Sequence, residues 1–174
     1  MIKEKTMNLW FVMHEYFQGE KVEALVFILS IGLLSLIFGI WLLTEGGNFA
    51  KGVAIPFLAL ALISVSVGSV VGFRTPNQLK TLENGLVTNK IVTINSEIER
   101  MEKVNSAWPK YLVIWITFGI VGLTLRILTK NDFTQGLGVA LVFFSGVTLI
   151  IDGFAERRAI KYANHLNIEA NILR

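Results

Sequence analysis

Four runs of apolar residues, paired two and two around a polar middle, set the pattern of this chain. The first run, 24–43, holds twenty residues without a charge. At 1.5 Å per residue such a helix extends roughly 30 Å, the thickness of a bilayer's hydrocarbon core. The second run, 53–73, carries Pro56 in its first turn, where a missing N–H is tolerated. The third, 111–128, holds Arg126 near its far end, and the fourth, 133–151, stops at Asp152-Gly153. Short polar loops at 44–52 and 129–132 join the members of each pair. The predicted fold is an all-α integral membrane protein with four transmembrane helices.

The segments outside the runs also carry helical patterns. On 7–17, Met7, Trp10, His14 and Phe17 share one helical face, widened by Leu9, Met13 and Tyr16. Aromatics interleaved with charges suit a short helix lying in the membrane interface. In the polar middle, Asn84-Gly85 reads as a turn or helix end. After it, Val87, Ile91, Ile94, Ile98 and Met101 follow a 4-3-4-3 rhythm that continues to Trp108, a heptad seam. Ser96 and Glu99 fit a capping box, which sets a competing helix start near residue 96. Pro109 marks the junction with the third span. In the tail, Ala159, Ala163, Leu166, Ala170 and Leu173 form a thin apolar stripe at the same spacing. Middle and tail helices are therefore expected to pack together.

The two apolar blocks resemble each other. Leu25-Val26 to Gly32 has the spacing of Leu112-Val113 to Gly119. Asn48-Phe49-Ala50-Lys51-Gly52 aligns with Asp132-Phe133-Thr134-Gln135-Gly136, and the blocks close on Gly72-Phe73 and Gly153-Phe154. Two hairpins that each return to their starting side are parallel repeats about an axis along the membrane normal. The expected organisation is an interfacial amphipathic helix (1–22), hairpin repeat 1 (23–73), a cytoplasmic helical linker or cap (74–110), hairpin repeat 2 (111–154) and a C-terminal cytoplasmic helix (155–174).

Composition agrees with the membrane class. Of 174 residues, 53% are hydrophobic and 17% charged, against about a quarter charged in soluble domains. The net charge of +3 needs no nucleic acid partner. Thirteen of the sixteen Lys and Arg residues fall in the N-terminal, middle and C-terminal segments, and only Lys51, Arg126 and Lys130 fall on the opposite side. The positive-inside rule then puts both termini and the middle in the cytoplasm, in a bacterial inner (plasma) membrane. The first twenty residues, with five charges among the aromatics, do not resemble a cleaved signal.

Candidate sites follow from charge and small residues at depth. Ser64, Gly68 and Gly72 form a small-xxx-small ladder, for packing inside the bundle or between protomers. Gly138, Ser145 and Asp152 recur every seven residues and either pack or line a pore. Arg74 and Asp152 lie at equivalent repeat depth and are placed to pair; Arg126 has Glu45 as a possible partner or snorkels to headgroups. Arg157 and Arg158 suit anionic lipid headgroups. The heptad seam is a surface for oligomerisation or for a cytoplasmic protein partner.

Catalytic chemistry is sparse. The absence of cysteine excludes disulfides and thiolate sites. His14 and His165 sit on different tails, without metal-ligand spacing, and no phosphate loop or nucleophile elbow occurs. Arg158 and His165 have the Arg-x(4–6)-His spacing that resembles HEPN-type ribonucleases, with Ala159 where a polar residue is usual. No catalytic, cofactor or metal site is expected. In span number and size the layout is similar to that of small four-span accessory proteins beside some prokaryotic defence systems, including certain CRISPR loci. The expectation is a homo-oligomeric membrane protein that forms a pore or perturbs the bilayer. The alternatives are a scaffold recruiting a cytoplasmic partner and, third, a small solute transporter.

The topology is directly testable, because introduced cysteines have no native competitor. An impermeant maleimide added to intact cells should label Lys51→Cys, and label Lys80→Cys only after permeabilisation; the reverse pattern would invert the topology.

Overall fold

The computed structural model describes residues 2–173, with side chains from Leu9 onward. The Met7 side chain, expected on the N-terminal apolar face, therefore lies outside the described residues. The chain is all-helical: α1 (Ile2–Val22) runs through a π-helical stretch, Glu23–Ile28, into α2 (Leu29–Glu45), followed by α3 (Asn48–Thr88), α4 (Lys90–Asn105), α5 (Trp108–Leu128) and α6 (Asp132–Leu173). Four of the resulting rods are long and apolar enough to cross a membrane.

The breaks between rods have local causes. Gly46 and Gly47 take extended backbone between α2 and α3. Asn89 alone separates α3 from α4, and its side chain caps α4 by accepting from the Val92 N–H at 3.3 Å. Asn131 caps α6 in the same way, accepting from Phe133 at 2.9 Å. Pro109 sits in the first turn of α5, where no intrahelical donor is lost.

The assembly has two halves of different architecture. In the apolar half the helices form an open row in the order α2, α3, α6, α5, and α5 packs extensively only on α6. In the polar half α1, the end of α3, α4 and the end of α6 surround one core of Leu9, Val12, Met13, Tyr16, Phe17, Ile94, Met101, Ala159, Tyr162 and Leu166.

Close backbone approach holds the row. A Cβ on Gly68 would meet the Ala24 carbonyl oxygen at 2.8 Å and the Leu29 nitrogen at 2.9 Å, so the ladder Ser64, Gly68, Gly72 packs against the π-helical stretch and α2. The contact between α3 and α6 is reciprocal. A Cβ on Gly52 would collide with the Phe133 carbonyl, and one on Gly136 with the Phe49 carbonyl. Phe57 stacks on Phe143 across the same seam, 5.7 Å between centroids.

Several expectations change. The N-terminal helix is not a separate element with its apolar face on lipid; that face is buried in the polar-half core, because α4 and α6 present complementary stripes. Asn84-Gly85 does not end a helix: α3 continues to Thr88, and Gly85 admits Thr93 of α4, whose Oγ1 would lie 2.7 Å from a Cβ there. Helix α4 begins at Lys90 rather than near residue 96, since Asn89 supplies the cap and burial of Ile94 outweighs the β-branched run. The heptad seam is divided accordingly. Val87 belongs to α3 and is 81% exposed, Ile91 is exposed, and Ile94 and Met101 are fully buried within the chain with Ile98 against them. That lower half of the seam is therefore not a surface for another molecule. The middle–tail pairing does form: α4 packs on α6.

Truncating Met101→Ala should destabilise the polar half by about 2–5 kcal/mol, the range for buried Met. Val87→Ala should stay within about 0.5 kcal/mol. Thermal unfolding in detergent followed by circular dichroism separates the two.

Candidate functional site

Within the apolar half, the stripe on α6 turns out to be anchored. Ser145 Oγ donates to the Trp115 carbonyl at 2.7 Å, and the Trp115 indole N–H donates to Asp152 Oδ2 at 2.6 Å. Gly138 lies against the backbone of Gly122 and Arg126. The stripe thus fastens α6 to α5. Trp115, the hub of both bonds, went unremarked in the sequence, where it reads as one more apolar residue. Arg74 and Asp152 do not pair: Arg74 reaches Glu20 at 3.5 Å, while Asp152 is taken by Trp115. Arg126 is exposed and forms no ion pair with Glu45.

A collar of charges lies where the two halves meet. It ties α1 to its neighbours through Glu15 to Lys161 at 2.8 Å and Glu20 to Arg74, and the π-helical stretch through Glu23 to Arg158; the His14 ring also contacts Glu83 at 2.9 Å. Arg158 also packs on Gly19. Arg158 is thus turned toward α1 and engaged by an acid, while Arg157 is exposed. The same engagement occupies the arginine of the Arg158/His165 pair.

Deeper in, Glu97 is 4% exposed. Arg100 grips it from one turn away, through Nε to Oε2 at 2.8 Å and Nη2 to Oε1 at 2.7 Å. The guanidinium also lies over the rings of Phe17 and Tyr16, 5.6 and 6.0 Å from their centroids. Tyr16 stacks on Tyr162 at 4.6 Å. Burial, reinforced by Glu97, raises the Tyr162 hydroxyl above its ordinary pKa, and burial with Glu20 raises Tyr16. Burial pulls Arg100 down, yet its bonds to Glu97 outweigh this and leave it raised, so it stays charged. The Glu97–Arg100 spacing was readable as a helical pair; its burial beneath aromatics from α1 and α6 was not.

Beside this network an open cleft of about 350 Å³ lies between α3 and α4. Phe17 forms part of its wall, Arg74, Asn77, Gln78 and Thr81 line one side, and Glu97 with Arg100 the other. Positions 74, 77, 78 and 81 share one face of α3 by helical periodicity. Gln78 Oε1 is buried without a hydrogen-bond partner among the described residues. No group of three or more metal-ligating side chains gathers among the described residues.

Removing Glu97 should strand a partly buried guanidinium. Glu97→Ala should cost about 3 kcal/mol, the lower end of the range for breaking a buried pair because Arg100 keeps some solvent. The double variant Glu97→Ala/Arg100→Met should recover most of that loss in the same thermal melt.

The chain matches no family model, and comparison with curated proteins and with solved structures returns no match, so its function is argued from this geometry.

Proposed function

We propose that this chain is a non-enzymatic, multi-pass protein of a bacterial inner membrane, both termini cytoplasmic, that assembles with copies of itself edge to edge to form a pore or perturb the bilayer. The observation that carries this reading is the open row. A closed bundle buries its seams internally, whereas a row leaves two free flanks. On α2 the outer flank carries Leu34 and Ile37, 66% and 67% exposed; on α5 it carries Val113, Ile120 and Ile127, at 63%, 62% and 67%. Joining the α5 flank of one copy to the α2 flank of the next is a head-to-tail contact, which generates rings when the rotation closes. Because the stripe of Ser145 and Asp152 is occupied by Trp115, any aqueous path in this proposal lies between copies. We further infer that the two hairpins are parallel repeats, supported by the reciprocal Gly52–Phe133 and Gly136–Phe49 contacts and by Gly32 and Gly119 meeting Ser64 and Ser145, respectively.

A second reading, a scaffold for a cytoplasmic partner, is favoured by one specific observation. Val87, Ile91 and Val92 near the α3–α4 corner, and Ile168 and Ile172 near the end of α6, are all exposed.

Disulfide trapping tests the assembly. Leu34→Cys/Ile120→Cys in membranes should give a ladder beyond the dimer on oxidation, whereas either single variant can give only dimers. Monomer at every protein density would sink edge-to-edge assembly. Purified protein should release dye from liposomes, and impermeable vesicles at high protein load would remove the pore from the proposal.

A further inference from the structure

We propose that the cleft between α3 and α4 binds a phosphate ester that also carries a hydrogen-bond donor, the chemistry of a phosphoethanolamine or phosphoglycerol headgroup. This rests on the reading of the apolar half as membrane-embedded only for the source of the ligand.

Three observations converge. The first is position. Arg74 directly follows Phe73, the last residue of an apolar run and 74% exposed, so the cleft begins where the apolar surface of α3 ends. In the proposed bilayer that is headgroup level. The second is available positive charge. Arg74 has its side chain half exposed and, among the described residues, a single ion-pair contact, to Glu20, at 3.5 Å, long for a charged pair. Arg100 is committed to Glu97 through Nε and Nη2 and also contacts Met101 Sδ and Tyr16, so the charge open to a ligand is that of Arg74. A guanidinium with spare donors is suited to bidentate recognition of phosphate. The third is the unpaired acceptor. A buried amide oxygen without a donor is destabilising, and Gln78 Oε1 is one. Gln78 lines the cleft, and turning its amide toward the ligand would let a hydroxyl or ammonium supply the missing hydrogen.

Together these sites match both ends of a headgroup, with phosphate held at Arg74 and the donor held at Gln78. The volume of about 350 Å³ is at the small end of ligand pockets, enough for a headgroup. The acids near it, Glu97 and Glu20, keep the cleft close to neutral overall. That balance favours a ligand bearing donors of its own over a bare multivalent anion. A choline headgroup has the phosphate but no N–H or O–H, so it meets Arg74 and leaves Gln78 unpaired.

Native mass spectrometry of the full chain in detergent, with phosphatidylethanolamine, phosphatidylglycerol or phosphatidylcholine added, reads this directly. Phosphatidylethanolamine or phosphatidylglycerol should be retained at least about tenfold more strongly than phosphatidylcholine. Arg74→Met should weaken retention about tenfold or more, the scale of a charge-assisted hydrogen bond. Gln78→Leu should abolish the preference over choline lipid while leaving phosphate binding. Thr81→Trp, which fills the cleft without removing a charge, should block binding, and unchanged helicity and melting in each variant would show that folding is intact. Binding of soluble glycerol phosphate or phosphoethanolamine with the same variant dependence, but no lipid retention, would assign a soluble source to the same chemistry. Equal retention of all three lipids, or retention indifferent to Arg74→Met and Thr81→Trp, would overturn the proposal. Flotation with pure phosphatidylcholine vesicles reports membrane insertion separately, so a failure of that reading is distinguished from a failure of the cleft.

Discussion

The contact between α3 and α6 is the one on which everything else depends. These two helices, 41 and 42 residues long, run as single α-helices through both halves of the molecule. They approach closely because Gly52 and Gly136 each accept the other helix's backbone where a Cβ would collide. Every remaining helix attaches to one of them: α2 to α3 and α5 to α6 in the apolar half, α1 and α4 to both in the polar half. The spine is thus central to the row and to the core alike.

The two halves are stabilised by different physics. In the apolar half, helices gain from small residues that bring backbones together and from a few interior polar bonds, such as those of Trp115 with Ser145 and Asp152. In the polar half, burial of large side chains such as Tyr162, Phe17 and Met13 supplies the driving force, and the Glu97–Arg100 pair satisfies charge within it. The charged collar lies at the change from one regime to the other. It fixes the rotation of α1 through pairs to α3 and α6, and the π-helical stretch that follows lets α2 leave this collar and meet the ladder on α3.

That arrangement gives the proposed function its shape. A row with free edges and a closed polar bundle separates two tasks: lateral association through the apolar flanks, and recognition at the boundary or the exposed end. Trp115 engages Ser145 and Asp152 of the α6 stripe, and the proposal therefore puts the opening at the seam between copies. The proposed ligand cleft at Arg74 lies at the boundary between the two halves.

Much of this was legible along the chain. The lengths of the apolar runs, their pairing, the small-residue ladder and the stripes of α4 and α6 depend on spacing within one helix, which sequence periodicity reports directly. The partner of each stripe does not. Ser64, Gly68 and Gly72 announce a close contact without saying against what, and Arg74 and Asp152 at matching depth looked like a pair although each finds a different partner. The heptad of α4 likewise suited an external surface equally well until α1 arrived to cover it. Local spacing decides which face of a helix must be covered. Which element covers it depends on the relative rotation and order of separate helices, and only the tertiary structure decides that.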